Sequence, residues 1–173
     1  MRVHSQLRRA IQDLEEEEYN VILIDCPPNF NIVTKNALAA SDSILIPARP
    51  DYLSTMGIDY LISSVKELVR DYNEFATHDD GDVTESIDPS FLGVVFTMIQ
   101  VYARQPIAAQ QAFIEQTKRL PGVSVFTSWI RQHSGQFADA PAYGVPVVIG
   151  GRHPEIVREL EEITSEFAAK AGV

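Results

Sequence analysis

Apolar positions change their period several times along the chain, and each change predicts an element. Leu7, Ile11 and Leu14 recur at helical spacing and predict an amphipathic helix from about Ser5 to Glu17. Glu15 to Glu18 stand at its C-terminal end, where their charge opposes the helix dipole and frays the last turn. From Asn20 the pattern turns continuous: Val21-Ile22-Leu23-Ile24 stops at Asp25, and Cys26-Pro27-Pro28 follows. Unbroken apolar runs mark strands of a parallel sheet covered on both faces. Proline has no N–H for a ladder and ends such a strand. Asp25 is therefore expected at a strand's C-terminal end, where open α/β sheets hold their ligands.

The alternation continues downstream. Ile32 to Ala40 predicts a short helix, and Ser43 to Pro47 a second buried strand. A long helix is expected from Ser54 or Thr55 to Phe75, with Ile58, Leu61, Ile62, Val65, Leu68, Val69 and Tyr72 on one face. Residues 77–90 hold five acids among almost no apolar residues and predict a solvated acidic surface loop. Phe91 to Met98 is a third strand and Val123 to Trp129 a fourth. Between them Pro106 to Leu120 reads as a helix, proline in its first turn and Pro121-Gly122 beyond its end. Phe137 to Tyr143 reads as a turn or short helix, Val147 to Ile149 as a brief edge strand, and Pro154 to Ala169 as a closing helix. The expected class is α/β: a doubly wound, mainly parallel sheet with helices on both faces. One domain over residues 1–173 suits that length, since domains hold roughly 100–200 residues.

Composition narrows the function classes. Hydrophobic residues make up 45% and charged residues 22%, an ordinary globular balance. Cys26 is the only cysteine, so no internal disulfide forms and a reducing, cytoplasmic setting is expected. No apolar run approaches the roughly 20 residues of a membrane helix, and Met1 to Gln6 offers no apolar stretch for a secretory signal. The formal net charge of -10 is lopsided: residues 1–90 carry 17 acidic and 7 basic residues, the remainder 7 of each. Nucleic acid would need a local patch. Arg104, Lys118, Arg119, Arg131 and Arg152 fall between Phe91 and His153 against two acids. They read either as that patch or as scattered solvated charge.

Asp25 likewise has two readings. A strand often ends at aspartate because aspartate starts turns. A carboxylate there also suits Mg²⁺, which takes oxygen ligands beside phosphates. The four histidines lack metal-ligand spacing and read as surface residues, and no Gly-x-Ser-x-Gly motif is present. The Asp25 carboxylate beside Cys26 argues against a reactive thiol.

The segment Y-N-V-I-L-I-D-C-P-P, from Tyr19 to Pro28, is followed by Thr34, Asn36, Ala37, Leu38, Ala40 and Asp42, then by Pro47 and Pro50. With Gly93 to Arg104, and Phe137-Ala138-Asp139-Ala140-Pro141 through Gly144, Pro146 and Val147, it resembles the ParA/Soj-type partition ATPases. These are deviant-Walker P-loop NTPases of the MinD/ParA group. The resemblance covers most of the chain from Tyr19 to Val148. It implies ATP and Mg²⁺ as cofactors, with Asp25 on the metal side as the Walker B aspartate. It places Asp25, Pro27, Thr97, Met98 and Pro141 along the nucleotide, Met98 being otherwise readable as core and Pro141, with Gly144, as a turn former. It also implies Arg104, Arg131 and Arg152 as places for non-specific DNA contact, and as partners a second copy and a partition adaptor protein.

The family's phosphate-gripping loop, K-G-G-x-G-K-[ST], has no counterpart here. Lys35, Lys66, Lys118 and Lys170 each follow Thr, Val or Ala, never Gly. A fragment, a mis-assigned start and a natural truncated relative all fit that pattern. The expected consequence is a chain that does not hydrolyse ATP alone and that exposes an apolar sheet edge. The alternative is a degenerate, non-catalytic interaction module that pairs through this edge. A MinD-like membrane helix is not expected, because Pro154 to Val173 carries five glutamates against two basic residues.

Overall fold

The structure is a computed structural model and describes residues 6–12, 19–27, 29–76, 86–133, 135, 137, 144–150 and 153–173. Its elements are α1 (Gln6–Gln12), α2 (Ile32–Ala40), β1 (Ser43–Ala48), α3 (Tyr52–Ala76), β2 (Ser90–Ile99), β3 (Val101–Tyr102), β4 (Gln105–Pro106), α4 (Ala108–Lys118), β5 (Val125–Arg131), α5 (Val147–Gly150) and α6 (Pro154–Ala171). They gather into two compact units, one of residues 1–44, 60–91 and 173, the other of residues 45–59 and 92–172. The α/β class with parallel strand pairing is the one the apolar pattern predicts.

In the first unit α1 packs on α2, and the Arg8 guanidinium donates to the Ala39 carbonyl at 3.3 Å. Asn31 caps α2: its Oδ1 accepts the amides of Val33 and Thr34 at 2.9 and 3.1 Å, removing two of the orphan donors of a helix start. The core is Ala39, Tyr72 and Ile87, with Val69 against it. Asn73 pins Ile87 from both sides, accepting its amide at 2.8 Å and donating to its carbonyl at 2.9 Å. This contact holds the chain arriving at β2 where no regular ladder exists.

In the second unit the strand order is β1-β2-β5. β2 is buried without a break from Leu92 to Phe96, as a central strand covered on both faces should be. It pairs in parallel with β5 through Val94↔Val125, Phe96↔Trp129 and Ile99↔Arg131. Leu92, Val95 and Phe126 form the core, joined by Leu45 and by Ile163, Phe167 and Ala171 of α6. Pro154 opens α6 and Gly172, at φ 77°, closes it in the left-handed conformation.

Four expectations change. Val21 to Asp25 forms no strand, and Tyr19, Val21, Ile22 and Leu23 are exposed, Leu23 at 80%. An apolar run becomes a strand only where its N–H and C=O groups meet a ladder, and no described strand pairs with this segment. Val147 to Ile149 is a helical turn rather than an edge strand, closed by the Ile149 amide on the Pro146 carbonyl at 3.0 Å. Pro106 belongs to a two-residue hairpin, paired with Val101, and the helix starts at Ala108. His133 is not a surface residue: its side chain is 11% exposed and its Nε2 is buried with no hydrogen-bond partner. The helix end at residues 13–17, most of the acidic loop (77–85) and most of the turn at 137–143 lie outside the described residues.

Candidate functional site

Asp25, Cys26 and Pro27 are exposed in the first unit and lead into α2. The Pro27 carbonyl accepts the Asn29 amide at 2.7 Å. Thr34 Oγ1, on a residue 6% exposed, donates to the Asn29 carbonyl at 2.7 Å. Lys35 Nζ lies 5.4 Å from the centre of the Phe30 ring, within cation–π reach. The Asp25 carboxylate thus precedes a turn tied to a capped helix. Partial burial pushes the Cys26 thiol up, the negative charge of Asp25 adds to it, and Sγ lies 3.8 Å from the Ile24 carbonyl.

As a metal ligand Asp25 stands alone, since no group of three His, Cys, Asp or Glu that could hold an ion occurs among the described residues. One carboxylate suits Mg²⁺, which keeps several waters and completes its shell with substrate phosphates. Asp25 fits that ion as one ligand in company with phosphate oxygens.

Thr97 and Met98 sit at the C-terminal end of β2 in the second unit. Met98 is 50% exposed, which removes the core reading, and its φ is 57°. A non-glycine residue held there costs of order 1–3 kcal/mol, and such strain clusters at functional sites. Three glutamines surround this end: the Gln100 amide donates to Gln110 Oε1 at 2.7 Å, and Gln100 Nε2 to Gln132 Oε1 at 3.2 Å. The Gln132 amide donates to the Ile99 carbonyl at 2.8 Å. Only the tertiary register brings these amides together, so no motif announced them.

Arg104 and Arg131 have different surroundings. Arg104 is exposed at the tip of the β3–β4 hairpin, where Ala103 and Arg104 have φ of 49° and 65°. Positive φ at both central residues is what a tight two-residue hairpin requires. Arg131 is paired with Glu159, a carboxylate on a residue only 9% exposed: its Nε donates to Oε1 and its amide to Oε2 at 3.0 Å. Pro141 and Arg152 lie outside the described residues.

The parallel pairing of β2 with β5 and the burial of the central strand make this an α/β fold. The solved structures agree: apo McdA from Cyanothece superposes with a TM-score of 0.70 at 19% identity, over 95% of this chain and 59% of that one. A family described as "AAA domain" matches residues 1–77. Within that class the chain is a relative of the ParA/Soj-type partition ATPases. It is 29% identical over 144 residues to the sporulation initiation inhibitor protein Soj of Bacillus subtilis, covering 83% of this chain and 49% of that protein. It is 28% identical over 166 residues to the chromosome-partitioning ATPase Soj of Treponema pallidum, covering 96% and 58%. The chromosome partitioning protein ParA of Myxococcus xanthus is 30% identical over 146 residues, covering 83% and 44%. The chain spans about half the length of these relatives. No described helix is long and apolar enough to cross a membrane.

Proposed function

We propose that this chain carries the metal-side and base-side walls of a ParA-type nucleotide site, serves DNA segregation in the cytoplasm, and does not hydrolyse ATP by itself. The carrying observation is Asp25-Cys26-Pro27-Pro28 running into the Asn31-capped α2, within a chain related over most of its length to partition ATPases. Asp25 would hold Mg²⁺ or its water, and Pro27, Thr97, Met98 and Pro141 would border the nucleotide. Bound Mg²⁺ would neutralise phosphate charge. Phosphoryl transfer depends on positioned phosphates and electrostatic stabilisation, and no Gly-Lys loop supplies that grip. Mg²⁺-dependent phosphate release should therefore be negligible, and turnover at the rate of an intact relative overturns this part.

DNA contact would run through Arg104 and Arg152, with Arg131 partly neutralised by Glu159. Such contact is non-specific and weakens steeply with salt. A DNA affinity that stays constant between low and moderate salt contradicts it. A partition adaptor protein is the expected protein partner. The helix α6 region, with five glutamates against two basic residues, repels anionic lipid and supports a role away from membranes.

A second reading is favoured by the exposed run Tyr19, Val21, Ile22 and Leu23. Here the chain is a non-catalytic module that associates with another copy through this segment. The DNA upstream of Met1 separates the two. An in-frame strand and lysine-bearing Gly-rich loop favour the ATPase; a stop codon and a separate promoter favour the module.

A further inference from the structure

β5 is the end strand of the sheet β1-β2-β5, and end strands offer unpaired N–H groups to other chains. Its register with β2 slips. From Val94↔Val125 to Phe96↔Trp129 the pairing advances two residues on β2 and four on β5. Two residues of β5 are thereby left over, and ladder donors are released within this stretch.

Those donors are taken by α6. The Thr127 amide donates to both oxygens of Glu166, at 3.0 and 3.1 Å. The Ser128 amide and the Thr127 hydroxyl donate to its Oε2, each at 2.9 Å. Two helical turns earlier, Glu159 takes the Arg131 amide at 3.0 Å and the Arg131 side chain. One turn later, Lys170 Nζ reaches Ser124 Oγ at 3.0 Å. Glu159, Glu166 and Lys170 recur at intervals of seven and four, which lines them along one flank of the helix. Beside this row Ile163 and Phe167 enter the core and hold α6 in place. Three carboxylate and ammonium groups thus cover Thr127, Ser128 and Arg131 of β5 and Ser124 just ahead of it. Helix-to-sheet packing needs only the apolar row, so the polar row has a separate role.

We propose that this polar row is a seal: Glu159 and Glu166 cap the free donors of β5 and so prevent a strand of a second copy of this chain from extending the sheet there. This goes beyond the nucleotide reading and uses none of the residues placed along the nucleotide.

The test is backbone amide exchange by NMR, with sedimentation velocity beside it, on the full chain. Glu166→Ala should speed exchange of the Thr127 and Ser128 amides at least tenfold, while the Val94 amide, bonded to the Ser124 carbonyl at 2.8 Å, keeps its protection. The same variant should gain an association step that the unaltered chain lacks, and Thr127→Pro, which removes an edge donor, should abolish that step. Association through Tyr19 to Leu23 would survive Thr127→Pro, so the two surfaces are distinguished. If Glu166→Ala loses protection everywhere, Glu166→Gln, which keeps the shape and one acceptor, is read in the same way. Unchanged exchange at Thr127 and Ser128, or sedimentation identical to that of the unaltered chain, overturns the proposal.

Discussion

Gly93→Ala and Gly57→Ala make the same chemical change with opposite expected signs. Gly93 lies in β2 at φ 136°, and a Cβ there would stand 2.6 Å from the Ser124 carbonyl oxygen, 3.1 Å from its carbonyl carbon and 3.2 Å from its Cβ. The obstacle is mainly the backbone at Ser124, so no side-chain rotation relieves it. Moving that backbone away would break the hydrogen bond from the Val94 amide to Ser124. Strain at such a φ costs of order 1–3 kcal/mol, and forcing volume into a packed site costs a further 1–3 kcal/mol or so. The expected loss of about 2–6 kcal/mol is a large share of a typical stability of roughly 5–15 kcal/mol. Gly57 lies inside α3 with nothing within 4 Å of a Cβ. Alanine there should add about 0.5–1 kcal/mol through helix propensity. Urea unfolding followed by circular dichroism gives both numbers on one scale. A Gly93→Ala protein within about 1 kcal/mol of the unaltered chain would refute the close β2–β5 approach on which the second unit is built.

Asn73→Ala leaves the amide and carbonyl of Ile87, a residue 1% exposed, without their partner. Unfolding should show a loss of about 2–4 kcal/mol, with Asn73→Asp, which keeps the acceptor, in between. Burial alone would raise Glu166, but the amides of Thr127 and Ser128 and their hydroxyls outweigh it and hold the carboxyl below its usual range. Its contribution is therefore complete above the ordinary carboxylate pKa and fades as pH falls through the lower folded value. Denaturation from neutral pH into the acid range should show Glu166→Gln losing less stability than the unaltered chain. The Cys26 thiol, raised by burial and by Asp25, should alkylate more slowly near pH 8 than a free thiol, and Asp25→Asn should speed it modestly. Equal alkylation rates in both proteins would contradict the Asp25 contribution.

Long periodic segments were the most legible. α2 matches its expected bounds, α3 begins two or three residues before its expected start, and the buried run of β2 was plain from its apolar continuity. Misreadings share a cause: the deciding partner lies far away in sequence. The run Val21 to Ile24 reports residues suited to a covered strand, but a strand also needs ladder partners. Glu159 looks like solvated helix charge until Arg131, 28 residues earlier, draws it inward. The His133 side chain, 11% exposed, lies beside the same carboxylate, its Nε2 3.9 Å from Oε2. The hairpin at Ala103-Arg104 has no glycine or asparagine to signal it, and the glutamines around Met98 share no sequence motif. Asp25 stands out in the sequence because it ends an apolar run and precedes two prolines, a local pattern that does not depend on the strand forming.

Joining a strand and a K-G-G-x-G-K-[ST] loop ahead of residue 19, and measuring Mg²⁺-dependent phosphate release, tests the central claim most directly. The chain alone should show no turnover, and the joined protein should show turnover that Asp25→Ala abolishes. Turnover by the chain alone, or a joined protein indifferent to Asp25→Ala, contradicts that claim.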